Sequence, residues 1–284
     1  MRHRLIAAGA SLGLALMSTQ LVASTADAAQ PVARAAAPII KAKVTDKAIK
    51  LSTSSIRAGL VTFKAVDKKT KGSAVLQVFH LHPGYTLQDL SADFGPAFSG
   101  DTAAIARLDD NVDWLAGAEA RANKPGWFQE KLTKGSYVFI DQNQQAPIFS
   151  VLTVKGKVVP RQRVATQGTI STFSYGFRTD GTIRANGWVM TRNRADQPHF
   201  IVLQHVKAGT TRHQVVKFFK TGGQGRPTWA LRGSTSLGVI SPNRRAAWHL
   251  DLPSGRYALF CFWPDRFSGM PHVAMGMIDM VNLH

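Results

Sequence analysis

Three short segments recur in the same order along the chain, and this repetition limits the fold more than any other feature. Ile56-Arg57-Ala58-Gly59 returns as Ile183-Arg184-Ala185-Asn186-Gly187, each opening an apolar run. His80-Leu81-His82-Pro83-Gly84-Tyr85-Thr86 returns as His205-Val206-Lys207-Ala208-Gly209-Thr210-Thr211. Leu132-Thr133-Lys134-Gly135-Ser136-Tyr137 returns as Leu252-Pro253-Ser254-Gly255-Arg256-Tyr257. A period of about 120 residues is too long for a solenoid repeat and fits two copies of one domain. The runs between the anchors are short, β-branched or aromatic, and bounded by Gly, Pro, Lys or Asp, which predicts strands. They fall at 61–63, 74–79, 137–140 and 149–154, then at 187–190, 200–205, 257–262 and 277–281. Helical periodicity is confined to short stretches at 87–94, 101–108 and 211–219. A polar junction containing Pro160 lies at 156–168, giving domains at 39–156 and 169–284.

The start of the chain reads as an export signal at 1–28: a basic opening, an apolar run over 5–17, and the small-x-small site Ala26-Asp27-Ala28. An Ala-rich flexible lead follows at 29–38. No later stretch approaches the roughly 20 apolar residues of a membrane span, so a secreted, extracellular protein is expected. Its net charge is +18; without Arg2, Arg4 and Asp27 it is 33 − 16 = +17. The basic residues are scattered, which fits a solvated surface able to attract anionic cell-surface polymers. No aromatic–basic repeat runs along the chain as in a nucleic-acid module, so no specific nucleic-acid partner is expected. The single cysteine, Cys261, excludes an intrachain disulfide framework in an exported protein. Its thiol is buried, ligated or paired between chains.

The second half resembles the cupredoxins, the blue-copper β-sandwiches. His199 opens one strand, and Leu252-Pro253-Ser254-Gly255-Arg256-Tyr257 turns into the strand that ends at Cys261. A loop then runs to Pro271-His272, and Met277 follows, which gives Cys-x10-His-x4-Met. The resemblance implies a mainly β fold of two tandem Greek-key β-sandwich domains. It also implies one type-1-like copper site: His199, Cys261 and His272 as strong ligands, Met277 as a weak axial one. A thiolate, two imidazoles and a thioether suit both oxidation states of copper. Phe260, Phe262 and Trp263 would form an aromatic shell around it. The Cys-to-His loop is longer than in the compact electron carriers, and Met275 is an alternative axial ligand. Aligned on the turn, Asp141 stands where Cys261 does, Ala74 where His199 does, and Ile148 near His272. The first domain therefore has the pattern without the ligands and reads as a structural or binding module.

The resemblance implies electron transfer or copper handling with a redox partner protein, without turnover of an organic substrate. The alternative is a metal-free scaffold that associates with anionic wall or matrix polymers, with Cys261 as a core thiol. His80 and His82 share one strand face, but the recurrence of His80 as His205 favours packing. Gly233-Ser234-Thr235-Ser236-Leu237-Gly238 lacks the nucleophile-elbow pattern of a hydrolase. Asp109, Asp110 and Asp113 lack the glycine and terminal glutamate of a calcium loop and read as a solvated helix end.

Overall fold

The computed structural model describes residues 34–144 and 147–284. The signal segment read at 1–28, and the lead up to residue 33, lie outside the described residues. Nine elements of the first half are strands β1 (Ile39–Val44), β2 (Ile49–Leu51), β3 (Ser55–Asp67) and β4 (Ala74–Leu81), helices α1 (Leu87–Phe98) and α2 (Thr102–Asn111), then β5 (Val112–Ala120), β6 (Gly126–Leu132) and β7 (Gly135–Asp141). After β8 (Phe149–Val159) the second half repeats the scheme: β9 (Gly168–Phe173), β10 (Gly176–Gly181), β11 (Asn186–Asn193), β12 (His199–Val206), α3 (Arg212–Lys220), β13 (Ala230–Ile240), β14 (Arg245–Asp251), β15 (Gly255–Phe260) and β16 (Ile278–Leu283).

The pairing of the strands matches between the halves. β1 runs parallel to β3 and antiparallel to β2, as β9 does to β11 and β10. β3–β6, β4–β5, β4–β7 and β7–β8 are antiparallel, as are β11–β14, β12–β13, β12–β15 and β15–β16. The parallel contact of β3 with β8 has its counterpart at the chain end, where Ala185 N–H donates to His284 and His284 N–H donates to Ile183. The result is a mainly β sandwich in which both layers continue from one half into the other. One layer crosses at β6–β14 and the other at β5–β13.

At both crossings a strand pairs with its own counterpart. Phe128 lies opposite Trp248, 120 positions on, the same offset as Leu132 to Leu252. The junction is therefore approximately two-fold. Close approach explains its composition: a Cβ on Gly238 would stand 2.8 Å from the Gly117 Cα, so neither strand tolerates a side chain there. That is why β5 and β13, rich in Ala, Gly and Ser, carry no strand signature in the sequence. Gln77, fully buried on β4, ties the junction by hydrogen bonds. Its amide N–H groups donate to Val78, Ala116 and Val239 carbonyls, and its Oε1 accepts from Val239 N–H at 2.6 Å.

The repeated His-to-Thr and Leu-to-Tyr anchors prove to be packing devices. Tyr137 packs at a tilt beside His80, and Tyr257 stacks on His205, with ring centroids 5.6 and 4.7 Å apart. Each tyrosine hydroxyl donates to a carbonyl four residues earlier, Thr133 or Pro253. A Cβ on Gly255, whose φ is +145°, would come within 2.8 Å of His205 Nε2, so the turn needs glycine. Thr86 and Thr211 close the two anchors by capping α1 and α3 in capping boxes with Asp89 and Gln214. α1 runs four residues past the expected span.

Replacing Gln77 by Leu strands the Val239 N–H and three carbonyls at the junction. Loss of roughly 2–4 kcal/mol is expected, read as a lowered midpoint of urea unfolding. An unchanged midpoint would mean that the junction does not depend on this side chain.

Candidate metal centre

Three elements bring the sequence-predicted donors together. His199 is the first residue of β12, Cys261 follows directly on β15, and His272 lies in the loop to β16. All three are buried. His199 Nδ1 lies 3.5 Å from Cys261 Sγ, His272 Nδ1 lies 3.6 Å from it, and the two Nδ1 atoms are 3.0 Å apart. This is the one group of three or more His, Cys, Asp or Glu residues among the described residues arranged to hold a metal ion. A triangle with those sides has a centre about 2 Å from every corner, close to the bond lengths of a first-row metal to imidazole and thiolate, about 2.0–2.3 Å for zinc. The chemistry of the donors agrees. With the ring protons on Nε2, two nitrogen lone pairs would face each other at 3.0 Å, an arrangement that a cation between them relieves.

Burial sets the protonation of the three. It pushes His199 down to about 3, with the neighbouring His272 adding to the effect, and His272 down to about 4. Both rings are thus neutral donors at neutral pH. Burial pushes the Cys261 thiol up to about 12, against backbone N–H groups of Phe200 and Trp263 that favour the thiolate. A metal is what would draw off that proton.

The loop from Cys261 to Met277 is held by its own hydrogen bonds. His272 N–H donates to the Trp263 carbonyl and Met277 N–H to the His272 carbonyl. Asp265, buried, accepts from Tyr175 Oη at 2.7 Å, Gln197 Nε2 at 2.9 Å and Ser268 Oγ at 2.8 Å. Burial alone would raise its pKa, but hydrogen bonds from Gln197, Tyr175 and Ser268 hold it well below the usual carboxylate range. Gln197 also accepts from Arg266 N–H, so the segment leading to His199 and the loop carrying His272 are fastened together. Tyr175 packs edge-on against His272. Sequence reasoning missed Gln197, Tyr175 and Asp265; Asp265 with Ser268 three residues on was the local signal of a built turn.

The first half supports the loop from outside. Trp263, fully buried, meets Trp114 and Phe98 edge-on, and its Nε1–H donates to Asp109 at 3.2 Å. Arg266 pairs with Asp110 at 3.1 Å. A Cβ on Gly269 would lie 3.0 Å from the Gly100 Cα, so the loop touches the α1–α2 turn backbone to backbone. Asp109 is therefore not the solvated helix end expected from sequence. The expected aromatic shell also changes: Phe260 and Phe262 belong to a separate apolar cluster with Val206 and Val215 near α3, because neighbouring strand residues face opposite ways.

The two methionines differ. Met277 is fully buried in the same core cluster as Cys261. Met275 is exposed and its thioether accepts from Ser268 Oγ.

In the first half Ala74 and Asp141 stand where His199 and Cys261 do. Asp141 Oδ1 accepts from Val75 N–H at 2.8 Å and Asn143 N–H at 3.1 Å, the counterparts of the Phe200 and Trp263 N–H groups at Cys261. A buried ammonium completes the site: Lys69 Nζ pairs with Asp141 at 2.8 Å and donates to the Ser73 and Asn143 carbonyls.

Burial raises Asp109 to about 7 from an ordinary 3.8, more than the Trp263 hydrogen bond and Arg266 lower it. Between those values the folded protein keeps a proton that the unfolded chain has lost, so stability falls as pH rises through this window. Asp109→Asn cannot ionise and keeps an acceptor for Trp263. Its thermal midpoint relative to the parent is expected to be higher at pH 8 than at pH 5. Parallel profiles would mean that the Asp109 carboxylate is solvated.

No protein-family model and no curated protein matches the chain. Among solved structures it is similar to auracyanin A, a "blue" copper protein from the green thermophilic photosynthetic bacterium Chloroflexus aurantiacus, at 14% identity and TM-score 0.29 over 41% of this chain and 99% of that one. It is similar to a Cu-containing nitrite reductase from Thermus scotoductus at 10% identity and TM-score 0.23, over 88% of this chain and 68% of that one. The blue copper oxidase of Nitrosomonas europaea gives 10% identity and TM-score 0.23, over 80% of each chain.

Proposed function

We propose that His199, Cys261 and His272 hold one copper ion, that Met277 is the weaker fourth donor, and that the protein transfers single electrons or handles copper. The observation that carries this is the buried triangle of two imidazole nitrogens and one sulfur, with sides of 3.0, 3.5 and 3.6 Å. Copper bound there would supply one-electron chemistry, which soft sulfur and imidazole ligands support in both oxidation states. The chain's residues do the rest. Burial excludes water and keeps both imidazoles neutral, while the Phe200 and Trp263 N–H groups stabilise negative charge on sulfur. The Gln197–Asp265 fastening and the first half's contacts keep the donors from moving between oxidation states. The buried Met277 and the outward-facing Met275 support Met277 as the axial ligand.

The repeated pairing scheme supports an origin by duplication, with domains at 39–156 and 169–284. In that reading the first domain is a buttress for the copper loop. The signal pattern at 1–28 supports secretion, and a redox partner protein follows from an electron-transfer role. No helix among the described residues is long and apolar enough to cross a membrane.

Copper(II) added to the purified protein is expected to give an intense thiolate-to-copper band and narrow copper hyperfine splitting in electron paramagnetic resonance. Cys261→Ser removes the band. Met277→Leu shifts the reduction potential while Met275→Leu leaves it unchanged. Asp265→Ala, which loosens the loop, weakens copper binding about 10–100-fold. A band that survives Cys261→Ser would sink the proposal.

A further inference from the structure

The outer face of the layer that contains β6 and β14 has a feature spread over the whole chain. Following the strand register, Lys41 on β1 lies opposite Lys64 on β3, Lys64 opposite Trp127 on β6, Trp127 opposite His249 on β14, and His249 opposite Trp188 on β11. Five side chains thus form one row across five adjacent strands, about 19 Å long at the usual strand spacing. Lys41 is exposed and the other four are half-buried. Lys64 Nζ sits 4.6 Å from the Trp127 ring centroid, and Trp188 meets His249 edge-on at 5.3 Å.

Beside the row lies a cleft of about 340 Å³ walled by Trp127, Trp188 and Arg163 among others. Arg163 at its edge is partly buried and already faces the buried Glu130 carboxylate. The row holds no acidic residue. The neighbouring row, Ile39, Thr62, Gln129, Ala247 and Met190, is uncharged. Asp251, two residues beyond His249 on β14, is already paired with Lys124 at 3.4 Å.

We propose that this row binds an acidic polysaccharide: carboxylate or sulfate groups on Lys41 and Lys64, sugar rings against Trp127 and Trp188 beside the adjoining cleft. Charge complementarity favours a polyanion, and the tryptophans add an apolar surface that a purely ionic patch lacks. Single-stranded nucleic acid fits less well. Bases would compete for the same tryptophan faces, while Lys41 and Lys64 in line with them suit the regularly spaced acidic groups of a polyuronate. The surface is independent of the copper reading.

Affinity for polygalacturonate oligomers, measured at fixed ionic strength with the full protein, tests this. Lys41→Ser with Lys64→Ser is expected to weaken binding at least tenfold. Lys155→Ser with Lys157→Ser, which removes the same charge from exposed positions on β8, should change it less than twofold. Trp127→Ala with Trp188→Ala should also cost at least tenfold. The lysine variants sit on the surface and keep the test decisive if the tryptophan variant does not fold. Equal losses from both lysine pairs would overturn the proposal, since only net charge would matter. So would tighter binding of a single-stranded oligodeoxynucleotide of equal charge.

Discussion

Backbone contact between the halves at Gly117 and Gly238 is the constraint from which the rest of the molecule follows. With no side chain between them, β5 and β13 close to pairing distance, and the crossing at Phe128 and Trp248 becomes equally direct. That closeness carries Trp114 and the α1–α2 turn of the first half against the loop of the second. Trp263 is then sandwiched, Arg266 reaches Asp110, and Gly269 touches Gly100. A wider junction would leave the Cys261–Met277 loop supported only from within the second half. The long loop is thus matched by the first half, which braces it.

The candidate donor set was legible because it is local. Cys261, His272 and Met277 lie within one strand-and-loop segment, and His199 is fixed by the strand it opens. The repeat was legible for a similar reason: glycine turns, tyrosine hydroxyls bonded to a carbonyl four residues back, and helix caps depend on residues close in sequence. What bound these parts together was not. β5 and β13 looked unlike strands because close packing demands Gly and Ala, the residues that strand propensity penalises. Phe260 and Phe262 seemed to shield Cys261 when read as neighbours in sequence, but strand alternation turns them away from it. Gln197, Asp109 and Tyr175 act on the loop from three separate stretches of chain, and nothing in their local sequence marks them.

The basic surface shows the same limit from the other side. A linear reading finds charges scattered from Lys41 to His249 with no aromatic–basic repeat. Sheet register gathers them into a row, since pairing in a sandwich joins residues more than 100 positions apart as readily as neighbours. Composition gave the sign of the surface charge, but only topology could set two lysines in line with two tryptophans.

The two halves, finally, solve one electrostatic problem in two ways. In each, two backbone N–H groups converge on a buried acceptor at the end of the same strand: Asp141 in the first, Cys261 in the second. Such a position favours a negative group, and a buried negative group requires a cation close by. The first half supplies its own in Lys69, whose ammonium sits against Asp141 with little exposure of either side chain. It needs nothing further, and with Ala74 in place of a histidine it has no donor set for a metal. In the second half the neighbours of the sulfur are two neutral imidazoles and the two N–H groups, with no lysine or arginine among its partners. The thiol consequently keeps its proton, and only a cation from outside the chain could take its place. A closed ion pair in one half and a candidate metal donor set in the other thus differ by few side chains on the same backbone pattern.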